Sequence, residues 1–261
     1  MSMELAVRTV AVNGQPCRVW EKGQGAPLVF LPGIGGLPKW TPFLDRLASA
    51  RRVIAPSLPG FPGGVGHDAL DTHFDWLLAT HDLLYGAAGV GGDVMAVSVA
   101  GALAADCAGV WPGLIGKLVL LAPFGLFDPA EPAADVWAQR PGHLPALLCR
   151  DQQTYKAFIE QPLAADPIEW KVEQMRALEA AARFLFPTGN TGLGARLSRI
   201  RNPVLLLRGS ADRVIPASYL ARMAKGITGP VMQREVAGAG HLADLDAPEE
   251  SAAMVLEFLA A

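Results

Sequence analysis

The chain is poor in cysteine, in clustered charge and in long apolar runs. Its three cysteines, Cys17, Cys107 and Cys149, are odd in number and far apart, which argues against a disulfide framework or a cysteine-rich metal site. We interpret them as free thiols packed as small hydrophobic residues, as expected in a cytoplasmic protein. A catalytic cysteine is the alternative, and nothing around Cys107 or Cys149 favours it.

Charge is balanced and mixed in sign along the chain. The 22 basic and 25 acidic residues give a formal net charge of −3, and no basic run or aromatic-basic ladder indicates nucleic acid. The start, Met1 to Leu5, lacks the basic and long apolar regions of a signal peptide. No apolar stretch is long enough to span a bilayer, because Lys117 interrupts one of the best runs and Asp106 ends another. We therefore expect a cytoplasmic protein that acts on a small molecule.

Strand-like and helix-like segments alternate through most of the 261 residues, of which 51% are apolar. The turn Asn13-Gly14 predicts an antiparallel pair at the start. The predicted strands are Glu4 to Val12, Cys17 to Trp20, Pro27 to Leu31, Arg52 to Ala55, Gly92 to Val97, Lys117 to Ala122, Pro203 to Leu207 and Val231 to Val236. The predicted helices are Pro38 to Ala48, Leu70 to Tyr85, Val99 to Ala108, Ala217 to Ala224 and Pro248 to Ala260. The alternation predicts one α/β domain with a mostly parallel sheet covered by helices on both faces.

The stretch between Ala122 and Pro203 breaks this alternation with proline-rich turns and helical segments. Trp170, Phe184 and Phe186 fall partly off the main apolar stripe of the predicted helix, so aromatic side chains occupy more than one face. The segment is either an additional helical layer of the core or a lid over a pocket. We favour the lid, because the segment is inserted into an α/β sheet. The stripe itself consists of residues at roughly helical spacing: Ile168, Val172, Met175, Ala182 and Leu185.

Ser98 stands at a predicted strand-to-helix turn, between the apolar run that ends at Val97 and a run of small residues. A serine at such a turn stands clear of the sheet and can attack a carbonyl carbon. The usual pattern is G-x-S-x-G, and here Ala96 and Ala100 replace both glycines. Ser98 is therefore a candidate nucleophile, with a buried serine at an ordinary junction as the alternative.

A serine nucleophile needs a base and an acid that orients it. His241 follows the last predicted strand through the flexible loop Ala237 to Gly240, and Asp212 follows the strand that ends at Leu207. Active groups of open α/β sheets gather at the carboxyl ends of the strands. The chain order serine, aspartate, histidine is that of the fold in which such serine turns occur. Taken alone, each residue also has a purely structural interpretation: His241 as a hydrogen-bonded loop histidine, and Asp212 as a turn-capping aspartate.

The other histidines, His67, His73, His81 and His143, lack a comparable loop position. None has a histidine or cysteine at metal-ligand spacing, so we predict no metal site.

A glycine-rich loop, Pro32 to Gly36, follows the strand Pro27 to Leu31. Its backbone N–H groups can point at a developing oxyanion, and we assign the donors as the amides of Ile34 and Val99. A phosphate-binding loop is the rival interpretation. The segment lacks the lysine and serine or threonine of a P-loop and the spacing of a dinucleotide site.

Four segments together resemble the α/β-hydrolase superfamily: Leu31 to Gly36, the turn at Ser98, Gly209 to Asp212 and Gly240 to Leu242. The resemblance covers nearly the whole chain. It implies a core of residues 1–123 and 203–261 with a mostly parallel eight-stranded sheet, and a helical cap of residues 124–202. It further implies a Ser98–His241–Asp212 triad, an oxyanion hole and no cofactor. The chain departs from the family pattern at Pro32, where many members carry histidine, and at the two alanines beside Ser98.

The identity of the nucleophile narrows the set of reactions that the resemblance allows. Epoxide hydrolases and haloalkane dehalogenases of the superfamily use aspartate there, so Ser98 argues against both. Carbon–carbon bond hydrolases of dienoate ring-cleavage products resemble this chain in size and lid, but the tryptophan that they tend to carry after the catalytic histidine is missing after His241. We rank a carboxylic-ester hydrolase first and a carbon–carbon hydrolase second, with cofactor-free perhydrolysis as a side activity. A member that binds ligands without catalysis is the alternative of another class.

The cap supplies the predicted substrate-binding residues. Trp137, Trp170 and Phe184 are expected to line the pocket, and Arg176 or Arg183 to hold a carboxylate if the substrate has one. Mixed charges offer no strong field for a highly charged substrate, which favours a small or medium, mainly hydrophobic ester. The alternative places both arginines on the solvent face of the lid.

Overall fold

One eight-stranded sheet organises the computed structural model, which describes residues 4–140, 142–162, 165–185 and 189–261. The strand order is β1-β2-β4-β3-β5-β6-β7-β8, and every neighbouring pair is parallel except β1–β2 and β2–β4. The predicted mostly parallel eight-stranded sheet is thus confirmed. The strands are β1 (Ala6–Val12), β2 (Gln15–Lys22), β3 (Pro27–Leu31), β4 (Arg52–Pro56), β5 (Gly92–Val97), β6 (Ile115–Leu121), β7 (Val204–Gly209) and β8 (Val231–Val236).

Nine α-helices lie within the described residues. The connection from β3 to β4 runs in one direction along the sheet, and those from β4 to β5, β5 to β6 and β7 to β8 run in the other. Because crossovers between parallel strands are right-handed, α1 covers one face and α2, α3 and α7 the opposite face. The helices are α1 (Pro42–Ala48), α2 (His73–Ala88), α3 (Ser98–Val110), α4 (Leu144–Leu148), α5 (Gln152–Phe158), α6 (Pro167–Leu185), α7 (Ala217–Gly226), α8 (Ala243–Asp246) and α9 (Pro248–Ala260).

Two helices begin three or four residues later than their apolar patterns predict. The side chain of Thr41 caps α1 by accepting from the Leu44 amide at 3.4 Å. Thr72 and Asp75 form a capping box at the start of α2, where the amide of Asp75 donates to Thr72 Oγ1 at 3.2 Å and the amide of Thr72 donates to Asp75 Oδ2 at 2.7 Å. The caps satisfy amides that the first helical turn leaves without partners, and so decide where each helix starts.

Between β6 and β7 the described residues form helices and no strand. The α-helices of this segment are α4, α5 and α6. The predicted apolar stripe of α6 lies partly outside, since Ile168, Val172 and Met175 are 75%, 47% and 62% exposed. The small residues Ala177 and Ala181 are buried instead. No helix in the described part of the chain is long and apolar enough to cross a membrane.

A buried carboxylate anchors α3. Asp106 is fully buried and accepts from Arg196 Nε at 2.6 Å and from Thr191 Oγ1 at 3.0 Å, and His73 Nε2 lies 2.9 Å from it. These contacts join α3 to the start of α2 and to the segment that leads into β7. Buried charges are tolerated where they are paired and hydrogen-bonded in this way.

Gly101 allows α3 to pass close to the chain that leaves β6. A Cβ at Gly101 would lie 2.7 Å from Pro123 Cβ and 3.0 Å from Pro123 Cα. We expect Gly101→Ala to lower the free energy of unfolding by about 1–3 kcal/mol in spite of the better helix propensity of alanine. Urea unfolding measures the change. Gly194→Ala is the control, because its Cβ would meet Leu126 at an ordinary 3.5 Å; equal stability of the two variants would contradict the close approach.

Candidate active site

Ser98 adopts a backbone conformation that few residues other than glycine take up. It lies between β5 and α3 with φ = +54° and is only 1% exposed. Such a conformation costs free energy, so it persists only at a sharp turn that the surrounding structure holds in place. Ala96 and Ala100, which replace the usual glycines, are both fully buried. The turn that presents Ser98 therefore forms with alanines on either side.

The three residues singled out as nucleophile, base and acid meet in one hydrogen-bonded chain. His241 Nε2 lies 2.7 Å from Ser98 Oγ. On the other side of the ring, His241 Nδ1 lies 3.1 and 3.2 Å from the two carboxylate oxygens of Asp212. The side chains of His241 and Asp212 are both inaccessible to solvent. A serine hydroxyl, an imidazole and a carboxylate in this order can move a proton from the serine to the ring.

Asp212 stays ionised although it is buried. Burial raises the pKa of Asp212, but the neighbouring His241 ring and two backbone amides outweigh it and hold that pKa below its ordinary value. Oδ1 of Asp212 accepts from the amides of Val214 at 2.7 Å and Ile215 at 3.1 Å. An ionised carboxylate fixes the proton of the imidazole on Nδ1 and leaves Nε2 free to accept from Ser98.

Close backbone packing brings the loops after β7 and β8 together. A Cβ at Gly209 would lie 2.1 Å from the carbonyl oxygen of Gly240 and 2.2 Å from that of Ala239. Phe124 packs its ring edge against His241 with 6.1 Å between centroids, and its amide donates to the carbonyl of Ser98 at 3.1 Å. These contacts set the position of the imidazole relative to Ser98.

Hydrogen bonds also tie the histidine loop to the segment around α4. The amide of Leu242 donates to the carbonyl of Leu148 at 2.9 Å. Asp246 Oδ2 accepts from the amides of Gly240 and Arg150, both at 2.8 Å. Sequence reasoning missed this clamp, because the contact between Asp246 and Arg150 joins residues 96 positions apart and has no local pattern.

The glycine-rich loop after β3 lies against the nucleophile. A Cβ at Gly33 would stand 3.2 Å from Ser98 Cβ, so glycine is needed for the loop to come this close. The next residue, Ile34, is 2% exposed. Val99 is the second residue of α3, and amides in a first helical turn have no acceptor within the helix. Val99 therefore directly follows Ser98, and Ile34 belongs to the loop that packs against it.

A cavity of about 340 Å³ lies between this loop and the helices of the inserted segment. None of the described residues that line it is charged. Trp170, predicted to bind substrate, lines it together with Leu178 of α6, Leu144 of α4, Tyr155 of α5 and Gly35 of the loop. The cavity is thus mainly apolar, as is typical of sites for small organic ligands.

The other cap residues expected in the pocket lie elsewhere. Trp137 lines a separate cavity of about 190 Å³ beside Phe124, and its Nε1 donates to the carbonyl of Leu178 at 3.0 Å. Phe184 is buried against Trp76 of α2, with ring centroids 4.8 Å apart, so it joins cap and core. Phe186 lies outside the described residues.

The two cap arginines do not line the 340 Å³ cavity. Arg176 lines an open groove on the outer side of α6 with Glu169 and Glu173. Arg183 bonds to Glu179 at 2.5 Å and to the carbonyl of Asp68. The helical period explains why both arginines lie away from the cavity. Ala177 and Ala180 are on the buried face of α6, and Arg176 and Arg183 project from other parts of its circumference.

Residues 28–254 match the sequence model of the alpha/beta hydrolase family. The chain belongs to this family. It is 26% identical, over 97% of its length and 96% of the relative, to 2-hydroxy-6-oxo-2,4-heptadienoate hydrolase of Pseudomonas putida strain F1.

Two solved structures of similar size share the fold. One is 2-hydroxy-6-oxo-6-phenylhexa-2,4-dienoate hydrolase of Rhodococcus sp. strain RHA1, with a TM-score of 0.79 and 18% identity over the whole of both chains. The other is naproxen esterase of Bacillus subtilis, with a TM-score of 0.75 and 17% identity over 98% of this chain and 92% of that one.

A further buried carboxyl group lies three residues after His241. Asp244 is 7% exposed, and its Oδ1 has no hydrogen-bond partner among the described residues. Burial raises the pKa of Asp244 to about 7. The native protein therefore holds this proton up to about pH 7, whereas an unfolded aspartate releases it near pH 4. Stability should fall as the pH rises through this interval, because the native state binds more protons there.

We expect Asp244→Asn to be more stable than the wild type at pH 8 and nearly unchanged at pH 4. The asparagine side chain resembles the protonated acid and cannot ionise, and each pH unit of a pKa difference corresponds to about 1.4 kcal/mol. Urea unfolding from pH 4 to 8 measures the gap between the unfolding free energies of Asp244→Asn and the wild type. Asp71→Asn, at a side chain that is 86% exposed, is the control. A gap that stays constant with pH would show that Asp244 is ionised throughout.

Proposed function

We propose that this protein is a serine hydrolase that cleaves a small to medium, mainly hydrophobic carboxylic ester through an acyl-enzyme. The observation that carries the proposal is the 2.7 Å contact between Ser98 Oγ and His241 Nε2 at a turn with positive φ. Asp212 supports it by holding the opposite nitrogen of the ring. Residues 124–202 act as the cap that encloses the substrate.

The reaction follows from these positions. His241 takes the proton of Ser98 as the hydroxyl oxygen attacks the acyl carbon, and Asp212 stabilises the imidazolium that forms. The imidazolium then gives the proton to the departing alcohol. Water repeats the sequence on the acyl-enzyme, with His241 as base, and releases the acid and Ser98.

The backbone around Ser98 supplies the oxyanion donors. The amides of Ile34 and Val99 donate to the oxygen that gains charge in each tetrahedral intermediate. The close packing of Gly33 against Ser98 supports this role for the loop, and the position of Val99 in the first turn of α3 supports it for the second donor. Fixed donors of this kind stabilise the charge without reorganising in the transition state.

The cavity favours an uncharged substrate. A carboxylate placed in an apolar cavity needs a positive or strongly polar partner. The described residues that line the cavity carry no charge, and Arg176 and Arg183 lie away from it. A neutral ester therefore fits better than a dienoate, which brings a carboxylate with it.

Carbon–carbon bond hydrolysis is the second candidate. It is favoured by the whole-length similarity to the protein named 2-hydroxy-6-oxo-2,4-heptadienoate hydrolase and to the one named 2-hydroxymuconate semialdehyde hydrolase, from Pseudomonas sp. strain CF600. The same serine, histidine and aspartate would serve both reactions, so the distinction rests on the substrate.

Ser98→Ala should abolish both hydrolysis of p-nitrophenyl acyl esters and covalent labelling by a fluorophosphonate, because the nucleophilic oxygen is lost. Circular dichroism should show the fold unchanged. Ser251→Ala is the control, since it removes another buried hydroxyl, one bonded to the carbonyl of Ala243 at 2.8 Å. Labelling or an acyl-enzyme burst that persists in Ser98→Ala would reject the proposed nucleophile.

Neutral acyl esters should be preferred over esters of the same length that end in a carboxylate, by about tenfold or more in kcat/KM, because the described residues that line the cavity include no positive partner for the charge. Arg176→Ala should leave this ratio unchanged. Steady-state kinetics on matched p-nitrophenyl esters measure this ratio of kcat/KM. The same assays on 2-hydroxy-6-oxo-2,4-heptadienoate test the second candidate reaction. Faster turnover of the dienoate, or a carboxylate preference that disappears in Arg176→Ala, would favour the second candidate.

A further inference from the structure

Among the described residues that line the 340 Å³ cavity, three have polar side chains, and two of these already donate to a backbone carbonyl. Trp170 Nε1 donates to the carbonyl of Ile159 at 3.2 Å, and Gln174 Nε2 donates to the same carbonyl at 2.8 Å. These two donors hold α6 against the end of α5. The indole N–H of Trp170 is therefore satisfied without a ligand, and the amide of Gln174 is held in place by one of its two N–H groups.

The third polar side chain is Tyr155 of α5, and its hydroxyl is not engaged in this way. No described residue lies at hydrogen-bonding distance and angle from its Oη. The residue as a whole is 4% exposed, and its ring packs against Phe158 with 6.3 Å between centroids. The hydroxyl oxygen is accessible from the cavity, so a ligand atom there can accept a hydrogen bond from it.

The hydroxyl points to the glycine-rich loop beside the nucleophile. A Cβ built on Gly35 would lie 3.6 Å from Tyr155 Oη, and Gly35 directly follows Ile34. Gly35 has φ = +86°, so the absence of a side chain here also suits the backbone. Burial raises the pKa of the Tyr155 hydroxyl, which keeps it a donor at neutral pH.

We propose that Tyr155 is a specificity-determining residue whose hydroxyl donates a hydrogen bond to an uncharged oxygen of the bound substrate, a ketone, ether or alcohol oxygen separate from the scissile ester. The inference rests on the proposed ester hydrolysis and narrows its substrate class. Among the described lining residues it is the side-chain donor that has no protein partner at all, and no charged group there would select an ionised ligand. An oxygen-bearing ester should therefore bind and react better than its all-carbon counterpart.

The test compares ester pairs that differ by one oxygen, placed two to four atoms from the scissile carbonyl. One series carries the oxygen in the acyl half of p-nitrophenyl esters, and the other carries it in the alcohol half of acetate esters followed by titration. Tyr155→Phe should lower kcat/KM about 3- to 10-fold for the best oxygen-bearing ester, mainly through KM. It should change the matched all-carbon ester by less than about twofold.

The control is Tyr219→Phe, at a buried hydroxyl that accepts from the Asp128 amide at 2.8 Å outside the cavity. This variant should lower the thermal midpoint and leave the oxygen preference intact. Tyr155→Phe should not lower the thermal midpoint, because its hydroxyl has no partner among the residues that the structure describes.

Two results would overturn the inference. One is no oxygen-dependent effect of Tyr155→Phe in either series. The other is an equal loss of kcat on oxygen-bearing and all-carbon esters, which would make the hydroxyl part of the general catalytic machinery. Fluorophosphonate labelling of the wild type separates these outcomes from failure of the proposed function. Without labelling of Ser98 the ester-hydrolase proposal itself fails.

Discussion

The 2.7 Å hydrogen bond between Ser98 and His241 is the contact on which the site depends, and it joins residues 143 positions apart. It exists because β5, β7 and β8 are parallel and end at one edge of the sheet, so that the turn and loops after them converge there. The positive φ of Ser98 lifts its hydroxyl above that edge. The absence of a side chain at Gly209 then allows the acid and histidine loops to touch.

The histidine loop belongs as much to the cap as to the sheet. Asp246 accepts from Gly240 within the loop and from Arg150 beyond α4, and the Leu242 amide bonds to Leu148. Displacement of α4 would break hydrogen bonds that position the imidazole. Ser98 and His241 are both buried. The position of the His241 ring is therefore tied through this clamp to α4 and the residues that follow it.

The helix α6 shows that a sequence pattern can predict a helix without predicting which of its faces is buried. The sequence shows its helical period, but Ile168, Val172 and Met175 of the predicted apolar stripe are exposed, and only its end at Leu185 is buried. Alanines bury the face against the core, because small side chains allow two helices to come close. The face with Trp170 lines the cavity. A helical period identifies an amphipathic helix, whereas the partners available around it decide which face is covered.

The sequence by itself determined the alternation of strands and helices, the order Ser98, Asp212, His241, and the position of each after a strand. Those features are local, since they depend on apolar runs, turns and small residues that neighbouring positions already specify. Tertiary structure alone decided that Asp246 clamps the loop while Asp212 meets His241, and that Phe184 packs on Trp76. It also decided that Arg176 lies away from the cavity. The physical reason is that side-chain partners over such separations are set by how layers pack, and one sequence of adjacent residues does not encode that packing locally.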